Sequence, residues 1–110
     1  MGTFTAQLTD TQRAEKYLAY LEREWARVPQ IAAEWAAWDE DDRLDLHVEW
    51  GIREDRLADL RGFAGKSLLL PEQTARFDRL QELIERNRPQ LEHLFASCYP
   101  GAPAVEAVEA

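Results

Sequence analysis

With 110 residues and a net charge of −8, the chain has the size of one domain and a surface that repels phosphate backbones. We therefore expect no nucleic-acid partner. No apolar run approaches the roughly 20 residues of a membrane span, so we expect no membrane insertion either. The single cysteine, Cys98, cannot form an internal disulfide, which favours a reducing, cytoplasmic location.

The first third of the chain carries a heptad stripe of apolar residues that predicts a long amphipathic helix. The stripe consists of Ala14, Leu18, Leu21, Trp25, Val28, Ala32 and Trp35. Thr9 or Asp10 is a candidate N-cap, and Thr9 with Gln12 fits a capping box. Pro29 falls inside the stripe, where its missing N–H weakens a helix. Because the stripe keeps its phase beyond Pro29, we predict a kinked continuous helix, with a break near Val28 as the alternative.

The segment from Asp39 to Arg61 concentrates negative charge. Nine acidic residues stand against four arginines there, which leaves a charge of −5. The acidic residues are Asp39, Glu40, Asp41, Asp42, Asp45, Glu49, Glu54, Asp55 and Asp59. A field of this sign favours a basic protein partner, although a solvated face that keeps the protein soluble would have the same composition.

Two apolar periods compete within this segment. One is the period of two that is typical of a β-strand, in Leu44, Leu46, Val48, Trp50 and Ile52. The other is a helical stripe of Leu46, Trp50, Leu57, Leu60 and Ala64. The acidic run at 39–42 is a helix-start signal. A lone strand would need a partner, and the only other short apolar run is at 68–70, so we predict a helix over 41–63. Gly65 is expected to end it in a left-handed conformation.

Arg53 lies at an apparent core position of this predicted helix, where an unpaired charge would be costly. Two interpretations stay open. Arg53 either pairs with a carboxylate such as Glu24 or Glu34, or marks the point where the helix face turns to solvent.

The last third of the chain predicts another long helix. Pro71 suits the first helical position, and Glu72 follows in the first turn. The apolar stripe of this helix consists of Phe77, Leu80, Ile84, Leu91, Leu94 and Cys98, with Asn87 at the remaining position. Pro89 falls inside the stripe and disfavours α geometry at Arg88, so we predict a kink near Asn87.

These patterns predict an all-α fold, an antiparallel up-down-up bundle of three long helices in one domain over residues 1–99. If Pro29 or Pro89 breaks its helix, the number of helices rises to four or five. Thin bundles often complete their cores by dimerising, so we expect a homo-oligomer. Residues 100–110 are small, acidic and repetitive, and we expect a flexible tail.

The aromatic residues and the acidic run together define a candidate partner-binding site. Trp25 and Trp35 lie on the first stripe and are predicted to be in the core. Trp38 and Trp50 are candidates for an exposed aromatic patch that anchors an interface. The candidate partner-binding residues are Trp38, Asp39, Glu40, Asp41, Asp42, Asp45 and Trp50.

One short motif on the last predicted helix carries a resemblance to a known family. Arg86-Asn87 and Arg88 precede His93, so the spacings Arg-x(6)-His and Arg-x(4)-His both occur. This motif is similar to the Arg-x(4–6)-His signature of HEPN domains, which are helical-bundle ribonucleases and often toxins. The resemblance covers residues 86–93. It implies a composite RNA-cleaving site, shared between two subunits, that contains Arg86, Asn87, Arg88 and His93.

Neither His47 nor His93 has a glutamate three residues before it, so the chain lacks the Glu-x-x-His pairs of di-iron bundles. We expect no metal and no cofactor. The leading interpretation is a non-enzymatic, acidic helical module that binds another protein or itself. The HEPN-like ribonuclease is the alternative, together with an acidic antitoxin or nucleic-acid mimic that occupies a basic site.

Overall fold

The computed structural model describes residues 9–98. This part of the chain contains four α-helices, one 3-10 turn and no β-strand, which confirms the predicted all-α class. The helices are α1 (Asp10–Ala26), α2 (Val28–Glu34), α3 (Glu40–Gly65) and α4 (Pro71–Ala96), and the 3-10 turn spans Trp35–Ala37 between α2 and α3. The predicted flexible tail at 100–110 lies outside the described residues.

Contacts between the helices define an up-down-up arrangement. At the start of α1 and α4, Gln73 donates through Nε2 to the carbonyl oxygen of Thr11 at 3.2 Å, so these two helices run parallel. The α3 helix runs antiparallel to α1, because Tyr17 in the middle of α1 stacks on Phe63 near the end of α3, whereas Glu24 near the end of α1 pairs with Arg53 further back along α3. The resulting bundle is thin, with extents of 54 × 30 × 22 Å.

The two predicted apolar stripes form the core. Trp25 and the leucines of α1 are fully buried, and Trp35 is nearly so, as predicted. From the last stripe, Phe77, Leu80, Ile84, Leu91 and Leu94 are buried as well. Burial of these large side chains, at about 1.5–3 kcal/mol each, is the main stabilising contribution to the bundle.

The favoured prediction of one continuous kinked helix around Pro29 is wrong, and the alternative of a break near Val28 is confirmed. The chain breaks at Arg27, and α2 begins at Val28 with Pro29 in its first turn. A proline is tolerated there because the first turn has no intrahelical acceptor for its missing N–H. Arg27 itself keeps φ −80° and ψ −13°, close to helical values. The apolar stripe therefore stays in phase across the break.

The choice between strand and helix over 44–52 is settled in favour of a helix, since α3 is continuous from Glu40 to Gly65. Its apolar residues lie on two different faces. Leu46 and Trp50 point into the core, whereas Leu44, Val48 and Ile52 are exposed. A helix that is apolar on both faces produces the period of two that resembles a strand.

The prediction that Gly65 ends α3 in a left-handed conformation is also wrong. Gly65 is the last helical residue, and Ser67 is the residue with positive φ, at 59°. The N–H of Leu68 donates to the carbonyl oxygen of Phe63 at 2.9 Å, and the N–H of Ser67 donates to the carbonyl oxygen of Ala64 at 3.1 Å. This is the hydrogen-bond pattern of a Schellman cap, with serine in the place that glycine usually occupies.

The α4 helix continues through Pro89 without a break from Pro71 to Ala96. Asn87 is buried two residues earlier and donates through Nδ2 to the carbonyl oxygen of Leu83 at 3.0 Å. The side chain of Arg88 forms two hydrogen bonds to Glu54 on α3, at 2.9 and 3.3 Å. The Arg88–Glu54 contact holds the turn around the proline against α3, whereas the hydrogen bond of Asn87 lies within α4.

Candidate functional site

Part of the acidic run at the start of α3 has a structural role. Asp39 is the N-cap, and its Oδ1 accepts a hydrogen bond from the backbone N–H of Asp42 at 2.8 Å. Glu40, Asp41 and Asp42 follow in the first turn, where the positive end of the helix dipole stabilises carboxylates. The dipole acts only within this turn, so it does not account for Asp45 or the acidic residues beyond it.

An open groove of about 550 Å³ lies along the start of α3. Its walls are formed by Ala37, Trp38, Asp39, Asp42, Asp45, Leu46 and Glu49. Asp42, Asp45 and Glu49 follow steps of three and four residues, which places the three carboxylates on one side of the helix. The groove therefore combines an aromatic ring with a row of negative charges.

Trp38 supplies the aromatic wall of this groove. It follows the 3-10 turn in an extended conformation, with φ −78° and ψ 146°. Its N–H donates to the carbonyl oxygen of Trp35 at 3.1 Å, and the two indole rings lie 5.6 Å apart. Trp38 is half-buried, with one part packed on the core and the rest open to the groove.

Trp50 does not belong to an exposed aromatic patch, and that prediction is corrected. Only 3 % of Trp50 is exposed, and its ring makes an edge-to-face contact with Trp25 at 5.3 Å. The reason is its register on α3, four residues after the buried Leu46. Of the two candidate tryptophans, only Trp38 lines the groove.

The structure also divides the acidic candidates between two adjoining concavities. Asp39, Asp42 and Asp45 line the groove described above. Glu40 and Asp41 line a neighbouring one, together with Trp38, Asp39 and Arg43. Glu49 was not among the predicted site residues, although its position four residues after Asp45 is a signal that would have found it.

The groove carboxylates differ in their ion pairs from the carboxylates that lie between helices. Glu15 and Glu22 of α1 share Arg76 of α4, at 2.6 and 2.8 Å, and Glu54 of α3 pairs with Arg88. Within residues 9–98, no lysine or arginine lies within 4.0 Å of the carboxylates of Asp42, Asp45 or Glu49. Interhelical contacts occupy several arginines, and the negative charge along the groove is not neutralised by the fold.

The four residues of the HEPN-like motif do not share one environment. Asn87 is buried, and Arg88 is held by Glu54 while its guanidinium lies 5.1 Å from the ring of Trp25. Arg86 and His93 are exposed and seven residues apart, which places them on one side of α4 two turns apart. The contacts of Asn87 and Arg88 indicate that these two residues stabilise the bundle.

Cys98 is half-buried beside the start of α3, where its Sγ lies 3.6 Å from the carbonyl oxygen of Arg43. Burial raises the pKa of this thiol more than the nearby charge of Arg43 lowers it. A thiol with a raised pKa is a poor nucleophile at neutral pH. Cys98 therefore acts as a packing residue at the end of the last stripe.

In the described part of the chain, no three His, Cys, Asp or Glu side chains are grouped in a way that could hold a metal ion. None of the helices within residues 9–98 combines the length and the apolar character needed to cross a membrane. No family model, curated protein or solved structure matches this chain. Function has to be inferred from the groove and the surfaces around it.

Proposed function

We propose that this protein is a helical interaction module that binds a basic protein partner through the acidic groove of α3. The supporting observation is the row of carboxylates from Asp42, Asp45 and Glu49 beside the half-buried ring of Trp38. Arginine and lysine side chains suit such a groove, because a cation pairs with the carboxylates and packs or stacks its stem on an indole ring.

The groove differs from other exposed acidic positions, such as Asp78, Glu82 and Glu85 of α4, because its unpaired carboxylates lie beside a half-buried aromatic ring. The carboxylates between helices are neutralised by arginines, but those of the groove are not. A row of uncompensated charges repels itself and lowers the stability of the free protein, and a basic partner relieves that repulsion. Complementary charges of this kind also accelerate association at low salt.

The proposal is tested by titrating the full chain with a short peptide rich in lysine and arginine, using calorimetry at low and high salt. We expect binding that weakens as salt rises, since the Debye length falls from about 10 Å at 0.1 M to about 3 Å at 1 M. The triple variant Asp42→Asn, Asp45→Asn, Glu49→Gln should bind at least about tenfold more weakly, which corresponds to about 1.4 kcal/mol.

The matched control changes three exposed carboxylates of α4 in the same way, with Asp78→Asn, Glu82→Gln and Glu85→Gln. Both variants have the same net charge, so only the location differs. Equal loss of binding in the two variants would show non-specific attraction and would refute a site at the groove. Trp38→Ala should weaken binding as well. Unchanged affinity in a folded Trp38→Ala variant would show that Trp38 is not part of the binding site.

A further inference from the structure

The outward face of α3 carries a second feature that the acidic groove does not explain. Leu44, Val48 and Ile52 are 41 %, 70 % and 50 % exposed. They lie at i, i+4 and i+8, so they form a continuous apolar strip about 12 Å long on the solvent side of the helix. Leu46 and Trp50 of the same helix are already buried, so the strip adds nothing to the core.

The C-terminal end of this strip opens into a shallow cleft of about 340 Å³ between α1 and α3. It is lined by Lys16, Tyr17 and Tyr20 of α1 and by Ile52 and Arg56 of α3. The guanidinium of Arg56 lies 5.2 Å from the ring of Tyr17 and so covers one edge of the cleft. A cleft with two aromatic rings fits one large apolar side chain of a partner.

Carboxylates lie at both ends of the strip and along one of its flanks on the same helix, whereas the other flank carries Arg43, His47 and Gly51. Asp41 lies three residues before Leu44, and Asp55 lies three residues after Ile52. Asp45 and Glu49 follow the strip residues by one position and also line the acidic groove. Within residues 9–98, none of these four carboxylates has a lysine or arginine within 4.0 Å.

This distribution of charge favours one kind of binding partner for the strip over another. A second copy of the chain would place the same carboxylates opposite each other, and like charges at an interface cost several kcal/mol. A helix with apolar residues in the middle and lysine or arginine along one side and at its ends would bury the strip and pair with the carboxylates. Amphipathic helices commonly dock in this way, with anchors at i, i+3, i+4 and i+7.

We infer that the docking element of the partner is a basic amphipathic α-helix that lies along Leu44, Val48 and Ile52 and inserts one large apolar side chain between Tyr17 and Tyr20. This inference rests on the proposed function and names the class of its partner. The apolar strip supplies burial, and the adjoining carboxylates of α3 supply charge complementarity. Asp45 and Glu49 connect the two surfaces, since they border the strip and line the groove.

The test uses two synthetic peptides of about 18 residues, roughly 27 Å long if helical. The first has leucine at i, i+4, i+8 and i+11 with lysine at the flanking positions, and the second is a scrambled peptide of the same composition. We expect the full chain to bind the amphipathic peptide at least about tenfold more tightly than the scrambled one. Circular dichroism should show that the amphipathic peptide gains helix on binding.

The variant Val48→Ser, Ile52→Ser should abolish the difference between the two peptides and leave the weaker, salt-dependent binding in place. Both residues are exposed, and serine and the β-branched residues have similar helix propensity, so the fold should be preserved. Leu68→Ser, a comparable change at a leucine in the loop between α3 and α4, is the control and should leave both affinities unchanged.

The outcomes separate this inference from the proposed function. Equal affinity for the two peptides, with loss of binding only in the Asp42→Asn, Asp45→Asn, Glu49→Gln variant, would overturn the inference and retain the acidic groove. Failure of both peptides to bind would overturn both. A dimer in light scattering that Val48→Ser, Ile52→Ser dissociates would assign the strip to a second copy and would likewise overturn the inference.

Discussion

The guanidinium of Arg53 on α3 lies 2.8 Å from the carboxylate of Glu24 on α1, and both side chains are at least nine-tenths buried. Arg53 also donates to the carbonyl oxygen of Glu49 at 3.0 Å, and its guanidinium lies 4.9 Å from the ring of Trp50. Arg27 donates to the same oxygen of Glu24 at 3.0 Å. This pair is the polar contact that fixes α3 against α1 in the middle of the bundle.

Removing one member of this pair should destabilise the protein far more than removing both. Arg53→Met leaves the carboxylate of Glu24 buried without its main partner, and we expect a loss of about 3 kcal/mol. The double variant Glu24→Met, Arg53→Met should return to within about 1 kcal/mol of the parent, because no buried charge is left. Urea unfolding of the four proteins in a double-mutant cycle measures this coupling, and strictly additive losses would contradict it.

Stability should fall in acid through Glu24. Burial raises the pKa of this carboxyl, but the hydrogen bond and charge of Arg53, with the charges of Arg27 and Arg23, lower the pKa below its ordinary value. The unfolded chain therefore takes up the proton at higher pH than the folded one. The stabilising contribution is present above about pH 4.3, the ordinary pKa of glutamate, and is lost as the pH falls through the folded pKa.

Denaturant unfolding of the parent and of the Glu24→Met, Arg53→Met variant between pH 7 and pH 3 checks this expectation. The decline below about pH 4.3 should be shallower in the variant, which lacks the carboxyl. Glu15, whose pKa is lowered by hydrogen bonds from Arg76 and Gln73, contributes in the same direction in both proteins. Parallel curves for the two proteins would show that Glu24 does not contribute.

Ser67→Gly should stabilise the protein and Gly65→Ala should do so as well. Ser67 has φ 59°, a conformation that costs an L-residue roughly 1 kcal/mol and that glycine adopts freely. Gly65 is helical, and a Cβ at this position meets nothing within 4 Å, so alanine should add about 0.5–1 kcal/mol. Each change should raise the Tm by a few degrees. If Gly65 were instead the left-handed residue, Gly65→Ala would lower the Tm.

The two tryptophans of the predicted patch should respond differently to truncation. Trp50→Ala creates a cavity beside Trp25 and should cost about 3–5 kcal/mol, a large part of the stability of a small domain. Trp38→Ala removes a half-buried ring at the edge of the core and should cost about 1 kcal/mol. Thermal melts followed by circular dichroism compare the two. A similar Tm for both variants would contradict the burial that separates them.

Local pattern predicted the helices well and their ends poorly. The stripes through Leu18 and Leu80 predicted the core because a helical period assigns each residue to a face without knowledge of its neighbours. The break at Arg27 was only the alternative, because Pro29 is tolerated in a first turn, and the left-handed Ser67 was missed, because glycine is only a preference at a cap.

The sequence by itself determined the fold class, the two apolar stripes and the acidic character of the third helix, because periodicity and charge are properties of the chain alone. Only the tertiary structure decided that Arg53 pairs with Glu24 rather than facing solvent, since the two residues lie 29 positions apart. It also decided that Trp50 is buried, that Trp38 is half-buried, and that Val48 lies outside the core. Which face of a doubly apolar helix is buried depends on what packs against it, and that is a property of the whole bundle.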